Sequence, residues 1–244
     1  MARSVVLRGV PRCPHCQIAP RWCVCAESRA VALPFALDVL MHNSEVWKPT
    51  STGNLIRRVV PASRRIVWHN QCLPRREDVV RDGGADALWI LHPRGEALED
   101  VLRDQREQPP PGAGALENLR VLLIDGTWAQ ANDMLRHVDG WGRKVRLPVS
   151  ALRGESRYWL RAQHSAGHFS TIEALIALLN ALGFASESDT IRGQFEMHVY
   201  AMLLARGHKT RAGQFLAGSP IGASMPELVR QLQAGSGRAG AIAK

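Results

Sequence analysis

A single carboxylate closes a short apolar run in the middle of the chain and is well placed to do chemistry. The run 121–124 is Val-Leu-Leu-Ile, and Asp125 follows it directly, ahead of Gly126, Thr127 and Trp128. This pattern predicts a buried strand that ends in a tight turn, with a helix starting behind it. Ligands of α/β proteins lie at such strand ends. Asp125 could therefore orient or deprotonate a substrate, and the indole beside it could cover a flat ring.

Four cysteines near the N-terminus have the spacing of a metal site. Cys13 and Cys16 form a C-x2-C pair, and Cys23 and Cys25 form a C-x-C pair. Two such pairs can surround one tetrahedral ion, so we predict structural Zn²⁺ with no open coordination position and no metal catalysis. Reduced cysteines in a polar loop are the alternative. Cys72 stands alone and is interpreted as an ordinary small apolar residue.

Two further polar clusters follow predicted strands. The segment 41–54 carries small hydroxyls, an amide and Gly53 ahead of a helix, which favours either an anion site or a simple N-cap and turn. His92 follows Leu91 at another strand end. It could be a functional residue, and a histidine that caps a loop explains it equally well.

Two later segments carry polar side chains that could bind a small ligand. Residues 156–161 combine two cations with two rings, which could hold a carboxylate and stack a base, or form an amphipathic surface. Ser170 or Thr171, with Glu173 in the first turn, is typical of a capped helix start. Free N–H groups there could bind the polar end of a ligand, although structural capping explains the same residues.

The charge of the chain indicates a polyanionic partner. The net charge is +9, which favours nucleic acid. Residues 57–81 hold seven arginines against two acids, and residues 201–244 hold six cations against one. Such clusters suit contact with a phosphate backbone. The predicted RNA-binding residues are Lys48, Thr52, Arg57, Arg58, Arg64, Arg65, Arg75 and Arg76.

Strand patterns alternate with helical patterns along the chain, which predicts an α/β protein with a mostly parallel sheet. We predict three parts: a Cys-rich zinc-binding head at 1–30, a catalytic α/β domain at 31–206, and a basic, partly disordered tail at 207–244. Strands are expected at 31–41, 66–68, 87–91, 121–125 and 145–147. Helices are expected at 53–60, 96–106, 129–137, 171–182, 192–205 and 225–232, with a flexible loop at 108–115.

Several protein classes are disfavoured by the sequence. It contains no P-loop, no G-x-G-x-x-G dinucleotide turn and no G-x-S-x-G nucleophile turn. No apolar run reaches membrane-spanning length, and arginines interrupt the N-terminus where a signal peptide would be apolar. We therefore expect a cytoplasmic protein with reduced thiols, whose chemistry resides around Asp125.

These motifs together resemble the DTW-domain family, the tRNA-uridine aminocarboxypropyltransferases. The resemblance implies a SPOUT-like fold with a knotted C-terminal half that binds S-adenosylmethionine (SAM). Gly126 departs from the family pattern, in which this position is more variable and often polar. The matching pieces, in family order, are the four cysteines, EVWKPTSTG at 45–53, DGTWAQA at 125–131, Leu147-Pro148, YWLR at 158–161 and STIEA at 170–174.

The resemblance also implies a reaction, the transfer of the 3-amino-3-carboxypropyl group of SAM to N3 of a uridine in tRNA with release of methylthioadenosine. Asp125 would accept the N3 proton or hold the base, and catalysis would rest mainly on positioning. Strand-end backbone would cradle the adenosine, and side chains on the later segments would fix the amino-acid end. The implied SAM-binding residues are Leu91, His92, Leu123, Ile124, Gly126, Thr127, Trp128, Leu147, Tyr158, Arg161, Ser170, Thr171 and Glu173.

Two other functions fit the same residues. One is a SAM-dependent RNA methyltransferase with the same pocket. The other is a non-catalytic, zinc-bearing RNA-binding protein in which the turn after Asp125 is purely structural. The sequence leaves the oligomeric state open.

Overall fold

A computed structural model describes residues 11–80, 88–107, 116, 118–152, 154–161 and 169–235. The expected flexible loop at 108–115 lies outside the described residues. So do Arg81 of the arginine-rich segment and the final residues of the predicted tail.

Five parallel strands form one sheet in the order β2-β1-β4-β3-β5. This confirms the predicted α/β class with a parallel sheet, whereas the C-terminal knot stays a prediction. The first strand starts five residues later than expected, because the N–H of Val31 donates to the Val59 carbonyl instead of to a neighbouring strand. The strands are β1 (Ala36–His42), β2 (Arg64–Trp68), β3 (Leu88–Ala97), β4 (Arg120–Asp125) and β5 (Arg143–Arg146).

Helices connect the strands and complete the C-terminal part. The sixth helix starts at Ala185, seven residues before the apolar pattern predicts, because its first two turns are polar. The seventh, which the sequence analysis missed, packs only Ala212 and Phe215 into the interior. The helices are α1 (Thr52–Val59), α2 (Arg76–Val79), α3 (Leu98–Glu107), α4 (Trp128–His137), α5 (Thr171–Ala181), α6 (Ala185–Ala205), α7 (Lys209–Ala217), α8 (Ile221–Ser224) and α9 (Pro226–Gln233). No helix in the described ranges has the length and apolar character needed to cross a membrane.

The sheet is buried on both faces, as its continuous apolar strands require. Alternate residues such as Leu40 and Leu122 pack with α4 on one face, whereas Val39 and Leu123 pack with α1, α5 and α6 on the other. The apolar cluster on the face of Val39 and Leu123 extends to Ile18 of the predicted head and to the helices of the predicted tail. The described parts of the predicted head and tail therefore share the core of the sheet.

A buried charge joins three strands at the opposite end from Asp125. Asp38 is fully buried in β1 and accepts hydrogen bonds from Arg64 Nε at 2.7 Å and from Arg120 NH1 at 3.1 Å. Arg64 also donates to the Val79 carbonyl. Because a buried carboxylate needs paired cations, these arginines stabilise the edge of the sheet.

The strand order reverses between β1 and β4, which is where open α/β sheets form a crevice. The chain leaves β1 through α1 toward β2 on one side, while β4 lies on the other side of β1. Met41 pairs with Asp125, so both strands end at the same level. A reversal of strand order of this kind is where open α/β sheets bind ligands.

Candidate active site at the ends of β1 and β4

Asp125 is the centre of a buried hydroxyl cluster. Its side chain is 5% exposed. Ser51 donates to Oδ2 at 2.7 Å, and Thr171 donates to Oδ1 at 2.8 Å, with Thr52 more distant at 3.4 Å. Thr171 is the only partly exposed donor of the three. The carboxylate thus joins the start of α1 and the start of α5 to the end of β4.

Burial raises the pKa of Asp125, and the hydroxyl donors Ser51 and Thr171 oppose this shift. A carboxylate with a raised pKa is a stronger base than an exposed one. Its environment also leaves no room for a side chain at Gly53, where a Cβ would lie 2.8 Å from Asp125 Oδ2. The glycine that the sequence suggested for anion binding therefore allows α1 to approach the carboxylate.

The segment between β1 and α1, residues 43–51, is held rigidly beside this cluster; we call it the β1–α1 loop. The side-chain amide of Asn54 donates to the carbonyls of Glu45, Val46 and Lys48 at 2.9–3.2 Å. One amide thereby fixes the backbone from Glu45 to Lys48. Loops held in this way present their exposed side chains in a defined direction.

Glu45 is the second buried carboxylate of the site. Burial alone would raise its pKa, but hydrogen bonds from Arg161 and Lys48 lower that pKa below the ordinary value. Lys48 Nζ lies 2.7 Å from Glu45 Oε1, and Arg161 also donates to Thr50 Oγ1 at 3.2 Å. Arg161, expected at the amino-acid end of SAM, therefore has protein partners in this structure.

Two aromatic residues from distant parts of the chain hold the end of the β1–α1 loop. His198 Nε2 donates to the Pro49 carbonyl at 3.0 Å, and Arg58 donates to its Nδ1 at 3.3 Å. These partners fix a neutral imidazole, and burial lowers the pKa of His198 well below its usual value. Tyr158, expected to bind SAM, is buried and donates to the Thr50 carbonyl.

Glu173 is occupied by protein donors rather than open to a ligand. It accepts from the hydroxyls of Ser156 and Ser170 and from the backbone N–H groups of Arg157 and Ser170, all at 2.7–2.8 Å. Four donors fill most of the acceptor capacity of a carboxylate. This differs from the expected contact with SAM and makes Ser170 and Glu173 the cap of α5.

The backbone positions expected to cradle SAM lie near the carboxyl edge of the sheet. Leu91 ends the regular pairing of β3, and residues 92–95 bulge outward before pairing resumes at Glu96. Leu123 and Leu147 are buried, and Ile124 gives its carbonyl to Thr171 at 3.3 Å. His92 Nδ1 accepts from the N–H of Arg94, as in a capped loop.

The turn after Asp125 has a capping function. Thr127 caps α4 together with Gln130, and Gln130 Nε2 also donates to Ser44 Oγ at 3.3 Å. A Cβ on Gly126 would lie 3.0 Å from Met134 Cε and 3.1 Å from Gln130 Cβ, so a side chain at this position would require a small shift of these neighbours. Trp128, at the start of α4, is 43% exposed at the same edge.

The four N-terminal cysteines form a compact group that suits zinc. Their sulfurs lie within 4.8 Å of one another, with Cys13–Cys25 and Cys16–Cys23 both at 3.7 Å. Zinc–thiolate bonds of about 2.3 Å place the sulfurs of a tetrahedral site about 3.8 Å apart. One thiol ionises easily and its charge then opposes the ionisation of another: the hydrogen bond with Cys25 lowers the pKa of Cys16 to about 5, while burial and the Cys16 charge raise the pKa of Cys23 to about 11. A bound cation would relieve this conflict.

The predicted RNA-binding residues divide into exposed and buried groups. Arg57, Arg65 and Arg75 are exposed. Partial burial of the guanidinium lowers the pKa of Arg65, and the charge of the nearby Arg57 lowers it further. Arg76 is partly exposed. In contrast, Thr52 is buried against Asp125, and the Arg58 and Arg64 side chains have protein partners. Thr52 is therefore directed into the protein, whereas Arg58 and Arg64 are partly exposed and their contact with RNA stays a prediction.

Neighbouring arginines on β2 provide a matched test of this division. We expect Arg65→Ala to weaken the predicted binding of RNA and to reduce the slope of log affinity against log salt by about 1, because one phosphate contact is lost. Arg64→Ala should instead lower the free energy of unfolding by on the order of 3 kcal/mol, since Asp38 loses a partner. Salt-dependent binding and chemical denaturation of both variants measure this. A salt slope reduced equally in both variants would contradict the division.

Sequence analysis missed Asn54, His198 and Ser51 as parts of the site. Ser51 and Asn54 stood in a segment described only by its small polar residues, and no pattern showed which atoms they contact. His198 is one histidine within an apolar helix, and its partner at Pro49 is 149 residues away. Only the hydroxyl-rich composition of 50–52 gave a usable signal.

The structure defines an α/β protein with a parallel sheet, a carboxylate where the strand order reverses, and a separate four-cysteine group. Comparison with known sequences then identifies its family. The DTW domain matches residues 10–203, so the chain belongs to the DTW domain family. It is similar to tRNA-uridine aminocarboxypropyltransferase 2 of Mus musculus, with 27% identity over 183 residues. That alignment covers 70% of this chain and 56% of the mouse protein, so the chain spans little more than half of its relative. No solved structure matches the chain.

Proposed function

We propose that the protein transfers the 3-amino-3-carboxypropyl group of SAM to N3 of a uridine in tRNA. Family membership and similarity to a mouse protein named for that activity support the reaction. The net charge of +9 and the exposed arginines on α1 and β2 support an RNA substrate.

One observation carries the chemical part of the proposal. Asp125 combines a pKa raised by burial with a position at the strand-order reversal, and it has one partly exposed hydroxyl neighbour, Thr171. A general base must reach the proton it removes directly or through a short relay. Asp125 meets that requirement through Thr171.

The proton of uridine N3 is proposed to move in a two-step relay. Thr171 Oγ1 accepts it and passes its own proton to Asp125 Oδ1, 2.8 Å away. The nitrogen becomes the nucleophile, a bond from N3 to carbon forms, and the departing sulfur keeps the electron pair of the bond that breaks. Ser51, bonded to Oδ2, holds the carboxylate in place for this transfer.

SAM would supply an electrophilic γ-carbon on a sulfonium leaving group. The polar groups at the strand-order reversal fit such a ligand: hydroxyls and strand-end carbonyls suit a nucleoside, and the Asp125 carboxylate suits a cation. We propose that the backbone of Leu91, Gly126 and Leu147 and the ring of Trp128 hold the adenosine. Glu173, Ser170 and Tyr158 are proposed to act at a distance, by fixing the backbone that lines the site.

The four-cysteine group is proposed to hold structural zinc. It is closed, with four sulfurs and no ligand position for a substrate, so its contribution is to stability. Gln194 on α6 donates to the Glu27 carbonyl at 3.4 Å, which connects the head to the helix that carries His198.

Incubation of the protein with unmodified tRNA and SAM tests the reaction. We expect methylthioadenosine and an aminocarboxypropyl nucleoside, detected by mass spectrometry of small products and of digested tRNA. S-adenosylhomocysteine with a methylated nucleoside would instead identify a methyltransferase. RNA binding without either product would favour the non-catalytic RNA-binding protein. Boiled protein serves as the control for spontaneous alkylation.

A further inference from the structure

The side chain of Trp47, on the β1–α1 loop, is an almost fully exposed indole. Trp47 is 84% exposed, the highest value among the exposed large apolar side chains described. A side chain that leaves so little area buried contributes little to stability. The backbone on both sides of it is nevertheless held by the Asn54 amide, through the carbonyls of Val46 and Lys48.

We propose that Trp47 is a stacking platform for an unstacked nucleobase of the RNA strand that carries the target uridine. The inference rests on the proposed function, because N3 lies on the pairing edge of uracil and a transferase must reach it outside a base pair. Enzymes that modify a base take it out of the stack and hold it against aromatic side chains.

The position of Trp47 matches this role. The loop starts where β1 ends, and Met41 of β1 pairs with Asp125 of β4, so the indole stands at the same edge of the sheet as the candidate base. Gln130 on α4 donates to Ser44 Oγ at the start of the loop, which ties the two sides of the crevice together.

The charges around Trp47 favour RNA over an apolar protein surface. Lys48 follows directly, with 43% of its side chain exposed. The exposed Arg57 lies on α1, the helix that the loop leads into. An indole beside cations is the combination with which proteins bind single-stranded nucleic acid, because every base has a stacking face and every nucleotide a phosphate.

The anchored loop would hold Trp47 in place before RNA binds. Glu45 before Trp47, and Pro49 and Thr50 after it, are all bonded to residues of α6 or of the segment 156–161. An indole held in advance loses little further backbone freedom when a base stacks on it. Ser51, at the end of the same loop, donates to Asp125, so the position of the platform relative to that carboxylate is fixed as well.

Trp47→Ala tests the proposal, with labelled unmodified tRNA, a single-stranded uridine oligonucleotide of about ten residues and a blunt RNA duplex as probes. We expect at least about fivefold weaker binding of the tRNA and the oligonucleotide, and unchanged binding of the duplex, which offers no free base. The KM for tRNA should rise while the KM for SAM stays the same. Trp47→Phe should restore most of the affinity.

Val149→Ala is the matched control, because Val149 is 81% exposed and apolar but lies on a different segment. It should leave all three affinities unchanged. Wild-type affinity of Trp47→Ala for tRNA, or an equal loss for tRNA and duplex, would overturn the proposal. A wild-type protein that shows the Trp47-dependent binding but transfers no group would refute the proposed function and leave the nucleobase site intact.

Discussion

Replacement of Asp125 by Asn is expected to lower turnover at neutral pH by at least about 100-fold while the fold and SAM binding are retained. The amide has the same shape as the carboxylate but cannot take up a proton. The hydroxyl that faces the new amide nitrogen, Ser51 or Thr171, can rotate to accept from it while the other still donates to the amide oxygen, so the cluster stays bonded. Single-turnover rates on unmodified tRNA, thermal melting and equilibrium dialysis with SAM measure the three quantities.

The pH profile sharpens this test. Because burial raises the pKa of Asp125, wild-type turnover should fall with decreasing pH at a value above the ordinary aspartate range. Asp125→Asn should lack that limb of the profile. Thr171→Val should resemble Asp125→Asn if the proton passes through the hydroxyl, whereas Thr171→Ser should retain activity.

An exposed aspartate on α4, which packs on the opposite face of the sheet, provides the control. Asp133 on α4 is paired only with Arg136 in the described contacts, so Asp133→Asn makes the same chemical change at the surface. Its turnover should equal that of the wild type. Full activity of Asp125→Asn would remove Asp125 from the chemical step and leave it a purely structural role.

Loss of zinc is expected to unfold the head and to destabilise the whole chain. Cys16 is 2% exposed and belongs to the same apolar cluster as Ile18 and the sheet. We expect Cys16→Ser to lose one equivalent of zinc and to lower the free energy of unfolding by at least about 3 kcal/mol, a fraction of the zinc-binding energy of small zinc domains. Zinc analysis and chemical denaturation measure both effects.

Cys72→Ala is the control for the metal site, because Cys72 is exposed and lies outside the four-cysteine group. It should keep both the zinc and the stability of the wild type. A Cys16→Ser protein with full zinc content would show that the group does not bind the metal. Retained stability after zinc loss would show that the head folds without it.

The sequence predicted the sheet well because its signals are local. Apolar runs of the buried strands, the carboxylate after 121–124 and the cysteine spacing each depend on neighbours in the chain. The strand order and the crevice between β1 and β4 could not be predicted from these patterns. They depend on which strands pair, and pairing is decided by contacts between distant residues.

The roles of charged residues were the least predictable part of the site. Arg64 and Arg65 are identical neighbours in the sequence, yet one neutralises Asp38 and the other faces solvent, because adjacent residues of a strand point to opposite faces. Glu173 was placed correctly at the start of α5, but its four donors were not visible in the pattern.

The anchoring of the β1–α1 loop has a consequence for the order of folding. Its partners lie far along the chain: 74 residues separate Ser51 from Asp125, 116 separate Glu45 from Arg161, and 149 separate Pro49 from His198. Contacts of such long range close large loops and form slowly. During synthesis the indole platform and the candidate base would stay unorganised until α6 has left the ribosome, so an incomplete chain could hold the metal but not assemble the site.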